Sequence, residues 1–168
     1  MTGAGEPSTP ARASVEARLA LLEAEREIMR TLHAYSHALD YGDEDARVDC
    51  WLPDGVIRWP PPYPASFEGH EGMRTAFRGH SHAPRVWHKH LVADPRIDVT
   101  GDTAHVVSYF ARLDQDEDGP YLRNFGRYLD VLQRCADGRW RFKERRAEAE
   151  ATSPKPRPGG PQGSATSP

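Results

Sequence analysis

The chain has 168 residues, enough for one domain with a real core and too few for two. Its 22 Lys and Arg against 25 Asp and Glu leave a net charge of -3, which removes the electrostatic case for a nucleic-acid or anionic-membrane partner. Nowhere do roughly 18 apolar residues run together, and the N-terminal "MTGAGEPSTPARAS" has no apolar leader segment, so the expectation is a soluble, cytoplasmic protein with Cys50 and Cys135 as reduced thiols.

Residues 1–13 and 151–168 are rich in Pro, Gly, Ser and Thr and carry almost nothing to bury, so both ends are expected to be disordered around one domain at 14–150. Ser14 is placed to cap a long helix in which Leu22, Ile28, Met29, Leu32, Tyr35 and Leu39 recur at helical spacing until Gly42 stops it. A short helix restarts behind Asp43, "GVIRW" reads as a strand, and Pro60 to Pro64 impose an extended loop. A third helix is expected over "GHEGMRTAFRGH". From Arg85 onward four long strands alternate, "RVWHKHLVADPRIDV", "TAHVVSYFARLDQ", "YLRNFGRYLDVLQRC" and "RWRFKERRAEAE", separated by "TGD", "DEDG" and "ADG" turns. Helices first and hairpins after give an α+β layout: a cone-shaped barrel of strongly curved, mostly antiparallel sheet wrapped around the long N-terminal helix. Such a cone has an apolar interior open at one end, a natural small-molecule pocket.

Two histidines one residue apart, His88 and His90, share one face of the strand "VWHKHLVADPRI" with Val86 and Val92, while Trp87, Lys89 and Leu91 take the other. Three readings compete: metal ligands, a catalytic base beside a bystander, or two partly buried structural histidines. The metal reading draws on "HSH" at 80–82 and on His88, His90, Asp94 and Gly101, which mimic half of a cupin motif. The only later histidine, His105, lacks the surroundings of a second half, and a long leading helix does not suit a cupin. His80 and His82 are expected in a solvated loop beside Pro84. Asp40 falls in the last turn of the long helix, where the macrodipole disfavours a carboxylate; it belongs either to a solvated "DYGDED" turn or to a site that uses it.

The succession "LHAYSHALDYGDEDARVDCWLPDGVIRW", "FEGHEGM", "HLVADPRIDVTGDTAHVVSYF" and "GRYLDVLQRCADGRWRFKERR", covering residues 28–146, resembles the SnoaL-like branch of the nuclear transport factor 2-like superfamily. That fold hosts polyketide cyclases, dehydratases, isomerases, dehydrochlorinases and proteins with no chemistry at all. Scytalone dehydratase, bile-acid dehydratase and hexachlorocyclohexane dehydrochlorinase use an aspartate at the end of the first helix and a histidine on a following strand, and the resemblance carries these roles to Asp40 and His90. It also carries the tyrosine of bile-acid dehydratases to Tyr35. Scytalone dehydratases have a tyrosine where this chain has Trp59.

The resemblance implies a cofactor-free, metal-free dehydratase, cyclase or isomerase of secondary metabolism acting on a hydrophobic carbonyl compound such as a polyketide, steroid or terpenoid intermediate. Asp40 would hold Nδ1 of His90 and favour its imidazolium, Nε2 would serve as base, and Tyr35 or another phenol would stabilise an oxyanion. Candidate substrate-binding residues are Trp59, His88, Tyr109, Asn124, Tyr128 and Arg146, the last because strict alternation in "WRFKERR" puts it on the face of Trp140 and Phe142. The alternative is a non-catalytic ligand-binding cone or the small partner subunit of a dioxygenase-like complex. A homodimer or higher oligomer is expected, because exposed sheet is a liability for a monomer.

Overall fold

The computed structural model describes residues 14–61 and 64–155. The two expected disordered ends lie outside the described residues, except that order continues past 150 as far as Lys155.

Helix α1 spans Val15–Tyr41, with the Ser14 hydroxyl accepting from Ala17 N–H and Gly42 closing it at φ 79°. That left-handed closure suits a residue with no Cβ. Helix α2 (Glu44–Asp49) is capped by the Asp43 carboxylate, strand β1 covers Trp51–Trp59, and helix α3 covers Gly69–Arg78. Between them lies β2 (Ala65–Glu68), a four-residue strand that the sequence reading missed because its apolar pattern is too short to register. Then come β3 (His88–Thr100), β4 (Thr103–Asp116), β5 (Gly119–Arg134) and β6 (Trp140–Thr152).

The six strands form one sheet in the order β2-β1-β6-β5-β4-β3. It is mixed, because β1 runs parallel to β6 while every other pair is antiparallel, and it is not closed: β2 and β3 are its edges. Register shifts interrupt the ladders at Ala93/Arg96, Arg112/Leu113, Phe125/Gly126 and Val131/Leu132. Each adds a residue to one strand and bends it, which curls the sheet around α1. At Gly126 the backbone of β6 comes so close that a Cβ would sit 1.9 Å from the Glu148 carbonyl oxygen, so only glycine fits there.

The core lies between α1 and the concave face, where Ile28, Leu32, Tyr35 and Leu39 pack against Trp51, Ile57, Val106, Leu132, Trp140 and Phe142. Leu22 is an exception to the expected core stripe. It is 62% exposed, with Val15 and Leu19 also exposed, because the first half of α1 extends beyond the sheet. Cys50 and Cys135 are free thiols, and burial raises the Cys50 thiol to about 11.

Candidate active site

The last turn of α1 meets the first residues of β3. Asp40, 4% exposed, accepts the His90 ring Nδ1 on Oδ1 at 2.7 Å and the His90 backbone N–H on both oxygens at 3.2 and 3.1 Å. Ring and backbone of one residue thus clamp one carboxylate, and Nε2 of His90 has no hydrogen-bond partner among the described residues. Burial works against the Asp40 carboxylate, yet the hydrogen bonds from the ring and backbone of His90 act against it, and its pKa is lowered. Burial also pushes the His90 imidazole below its ordinary value, against the pull of Asp40. Asp40 thus favours the imidazolium, as expected, but the cost of burying the ring outweighs it, an opposing effect that the sequence did not show; the Nδ1–H is directed at Asp40.

His88 shares the expected face but lies behind the dyad. Its side chain is fully buried, Nε2 is 3.4 Å from Asp40 Oδ1 without hydrogen-bond geometry, and neither ring nitrogen has a hydrogen-bond partner. Its cross-strand neighbour is Asp114, whose Oδ1 accepts Arg112 Nε at 2.6 Å while Oδ2 is buried and unpaired. His80 and His82, expected in solvent, are half-buried. His82 donates from Nδ1 to the Leu39 carbonyl at 2.6 Å and stacks on Phe77, and Ala83 N–H donates to the Asp40 carbonyl. These bonds tuck the 80–83 loop under the end of α1 and bring the His80 ring 5.8 Å from that of His90. Burial, aided by His90 and Arg112, pushes His80 down to about 2 and His88 down to about 4. Asp40, His88 and His90 have the two-histidine, one-carboxylate composition that transition metals accept, with ligand atoms within 4.8 Å of one another.

Neutral buried histidines have a consequence for stability. Unfolded imidazoles take up protons near pH 6.5 while the folded ones resist, so the stabilisation is fully present above that value and is lost as pH falls toward the folded values of about 4 and about 2. Each resisting histidine should cost on the order of 1.4 kcal/mol per pH unit below ~6.5. Urea midpoints should therefore hold steady above neutrality and drop between pH ~6.5 and 4, with a shallower drop in a His80→Gln, His88→Gln variant. A midpoint constant across that window would contradict the assignment.

The dyad opens onto a cavity of about 700 Å³. His90, His80, Tyr35 and Tyr128 line it together with Trp59, Phe67, Phe110 and Asn124. Tyr128 stacks on Phe110 at 4.5 Å, and burial raises its phenol, keeping it protonated. The Tyr35 hydroxyl accepts from Arg47 Nη2 at 3.4 Å.

Of the residues singled out from sequence, His90, Tyr35, Trp59, Asn124 and Tyr128 reach this cavity, and Asp40 and His88 sit behind it. Tyr109 does not: it is 59% exposed on the convex face, its neighbours Ser108 and Phe110 pointing inward. Arg146 does not either. The shift at Val131/Leu132 makes Lys143 an extra residue, which flips the alternation, so Arg145 is fully buried and Arg146 is exposed with Glu148 at 2.9 Å. Arg112, Arg123 and His80 were missed. Arg112 had a readable signal, since in "SYFARLD" it alternates onto the face of Ser108 and Phe110.

A long helix is closed over by a curved sheet, and a carboxylate at the helix end holds a histidine on the third strand, the arrangement that the resemblance to the SnoaL-like family led us to expect. The chain belongs to the SnoaL-like family, whose domain model matches residues 20–146. Similar solved structures include an NTF2-like protein with a cystatin-like fold from Novosphingobium aromaticivorans (22% identity, TM-score 0.74, covering 83% of this chain and 90% of that one). A protein of Catenulispora acidiphila in complex with S-DNPA shares 28% identity, with a TM-score of 0.64 over 77% of this chain and 94% of that one. ActVI-ORFA of Streptomyces coelicolor shares 20% identity, with a TM-score of 0.66 over 75% and 96%. No curated protein matches the sequence significantly. No helix among the described residues is long and apolar enough to cross a membrane.

Proposed function

We propose that this chain is a metal-independent acid/base enzyme, a lyase, isomerase or cyclase, acting on a hydrophobic carbonyl compound of the polyketide, steroid or terpenoid kind. The observation that carries the reading is the clamp on Asp40, which aims a neutral His90 at an aromatic-lined cavity. In this reading His90 Nε2 takes the proton next to the substrate carbonyl, and Nδ1–H shares the gained charge with Asp40. A phenol then donates to the developing oxyanion. Tyr128 fits that task, as its hydroxyl has no hydrogen-bond partner among the described residues, and Tyr35 retains its own hydrogen while accepting from Arg47. Returning the proton to a leaving hydroxyl gives dehydration; returning it to carbon gives isomerisation.

The test is deuterium uptake from D2O at the carbon beside the carbonyl of a bicyclic aryl ketone such as 2-tetralone, followed by proton NMR with untagged protein. Exchange well above buffer, in protein whose elemental analysis shows no stoichiometric transition metal, supports the reading. Exchange at the buffer rate, or stoichiometric zinc, iron or nickel at Asp40, His88 and His90, overturns it.

The convex face supports a homodimer within the same proposal. Leu91, Tyr109, Leu113, Leu122 and Phe125 are each at least 36% exposed, and β3, β4 and β5 set them side by side. Such a patch is large for a free surface. Light scattering should return twice the chain mass, and a Tyr109→Glu, Phe125→Glu variant should be monomeric with its fold intact. A monomeric wild-type chain at micromolar concentration would defeat this.

A further inference from the structure

The cavity carries a charge asymmetry that the chain as a whole does not. In a protein of net charge -3, the described residues that line it include three arginines, Arg47, Arg112 and Arg123, and no Asp or Glu. Arg47 is already used, Nη1 on the Met73 carbonyl at 3.0 Å and Nη2 on Tyr35. The other two are used only in part. Arg112 is held by Nε on Asp114, its side chain only 12% exposed, and its two Nη nitrogens have no partner among the described residues. Arg123 uses Nη1 on the carbonyls of Ser153 and Lys155, leaving Nε and Nη2.

The register brings these groups together. Arg112 pairs with Asn124 across β4 and β5, and the shift at Arg112/Leu113 makes Arg123 the extra residue, so that Arg123 and Asn124 both reach the cavity. Among the described residues the Asn124 side-chain amide has no hydrogen-bond partner, its Oδ1 being buried. On the other side Arg112 pairs with His90 across β3 and β4, one strand spacing from the base. Guanidinium N–H groups left over on Arg112 and Arg123 at one wall of the cavity are donors that an acceptor on a ligand would satisfy.

We propose that the cavity takes an organic acid, with its carboxylate on Arg112 and Arg123, its apolar body against Phe110 and Trp59, and its acidic C–H facing His90. The proposal rests on the cavity being the substrate site, and it narrows the substrate class to carbonyl compounds that also carry a carboxylate, the acidic C–H being the one beside the carbonyl. Two guanidiniums in a partly dehydrated wall bind a carboxylate far better than its uncharged ester.

The test compares 2-naphthylacetic acid with its methyl ester at pH 7.5 by calorimetry, supported by Trp59 fluorescence, in wild type, Arg112→Met, Arg123→Met and His90→Ala, each checked for fold by circular dichroism. Wild type should prefer the acid by roughly tenfold or more, the worth of a charge-assisted contact. Each folded arginine variant should lose most of that preference, and His90→Ala should keep it. Arg123→Met, which leaves no buried carboxylate behind, decides the matter if Arg112→Met fails to fold. Equal affinities in wild type, no binding of either probe, or a preference that survives Arg123→Met would overturn the proposal. Because the readout is binding, its failure is separate from a failure of proton abstraction by His90.

Discussion

His90→Ala should lower the deuterium-exchange rate on 2-tetralone by roughly two to four powers of ten, the usual worth of a positioned acid/base group. Asp40→Asn should fall in the same range. The amide would offer a donor where the imidazole needs an acceptor, so Nδ1–H loses its anchor and the ring turns or changes tautomer. The double variant should be little worse than either single one, since the two residues act as one unit. His88→Ala should cost much less, because His88 lies behind the dyad and does not line the cavity. Full activity in the double variant would leave the site without its base. Inactivity in His88→Ala with His90→Ala near wild type would reverse the assignment along β3.

The largest stability effect should come from a pair with no part in that chemistry. Arg145 Nε and Nη2 donate to Asp130 Oδ1 and Oδ2 at 2.8 and 2.7 Å, and neither side chain has any exposure. The guanidinium is enclosed by Tyr128, Phe142 and Tyr35 at 4.0, 4.2 and 4.4 Å. Replacing one partner leaves a dehydrated charge unanswered, so Asp130→Asn or Arg145→Met should each lose ~3–5 kcal/mol in urea denaturation. The double variant Asp130→Leu, Arg145→Met removes both charges and should lose far less than the sum. Additive losses would mean that the two side chains contribute through packing alone.

The parts of the molecule that repeat were legible in the sequence. The helical spacing from Ile28 to Leu39, the caps at Ser14, Asp43 and Gly42, and the alternation through His88, His90 and Val92 each reappear where they were read. A period carries no information about an inserted residue, however. One extra residue at Lys143 exchanged Arg145 for Arg146, and the sequence around it looks like unbroken alternation. Tyr109 failed for a related reason, since nothing local says which face of β4 is concave. His80 and His82 were placed in solvent because "GHSHAP" has the composition of a surface loop; bonds to the distant Leu39 and Asp40 carry it inward. The neutral state of His90 was likewise invisible, as it depends on burial from several elements at once.

In the proposed chemistry Asp40 holds His90 as a neutral imidazole with Nε2 open to the cavity. Nitrogen-15 NMR of the histidine side chains, with His90 assigned through His90→Gln, tests it most directly. At pH 7 the account predicts a protonated Nδ1, an unprotonated Nε2 and titration below the ordinary imidazole range, with the Nδ1–H signal lost or shifted in Asp40→Asn. An imidazolium at pH 7, or a proton on Nε2 instead of Nδ1, would contradict it.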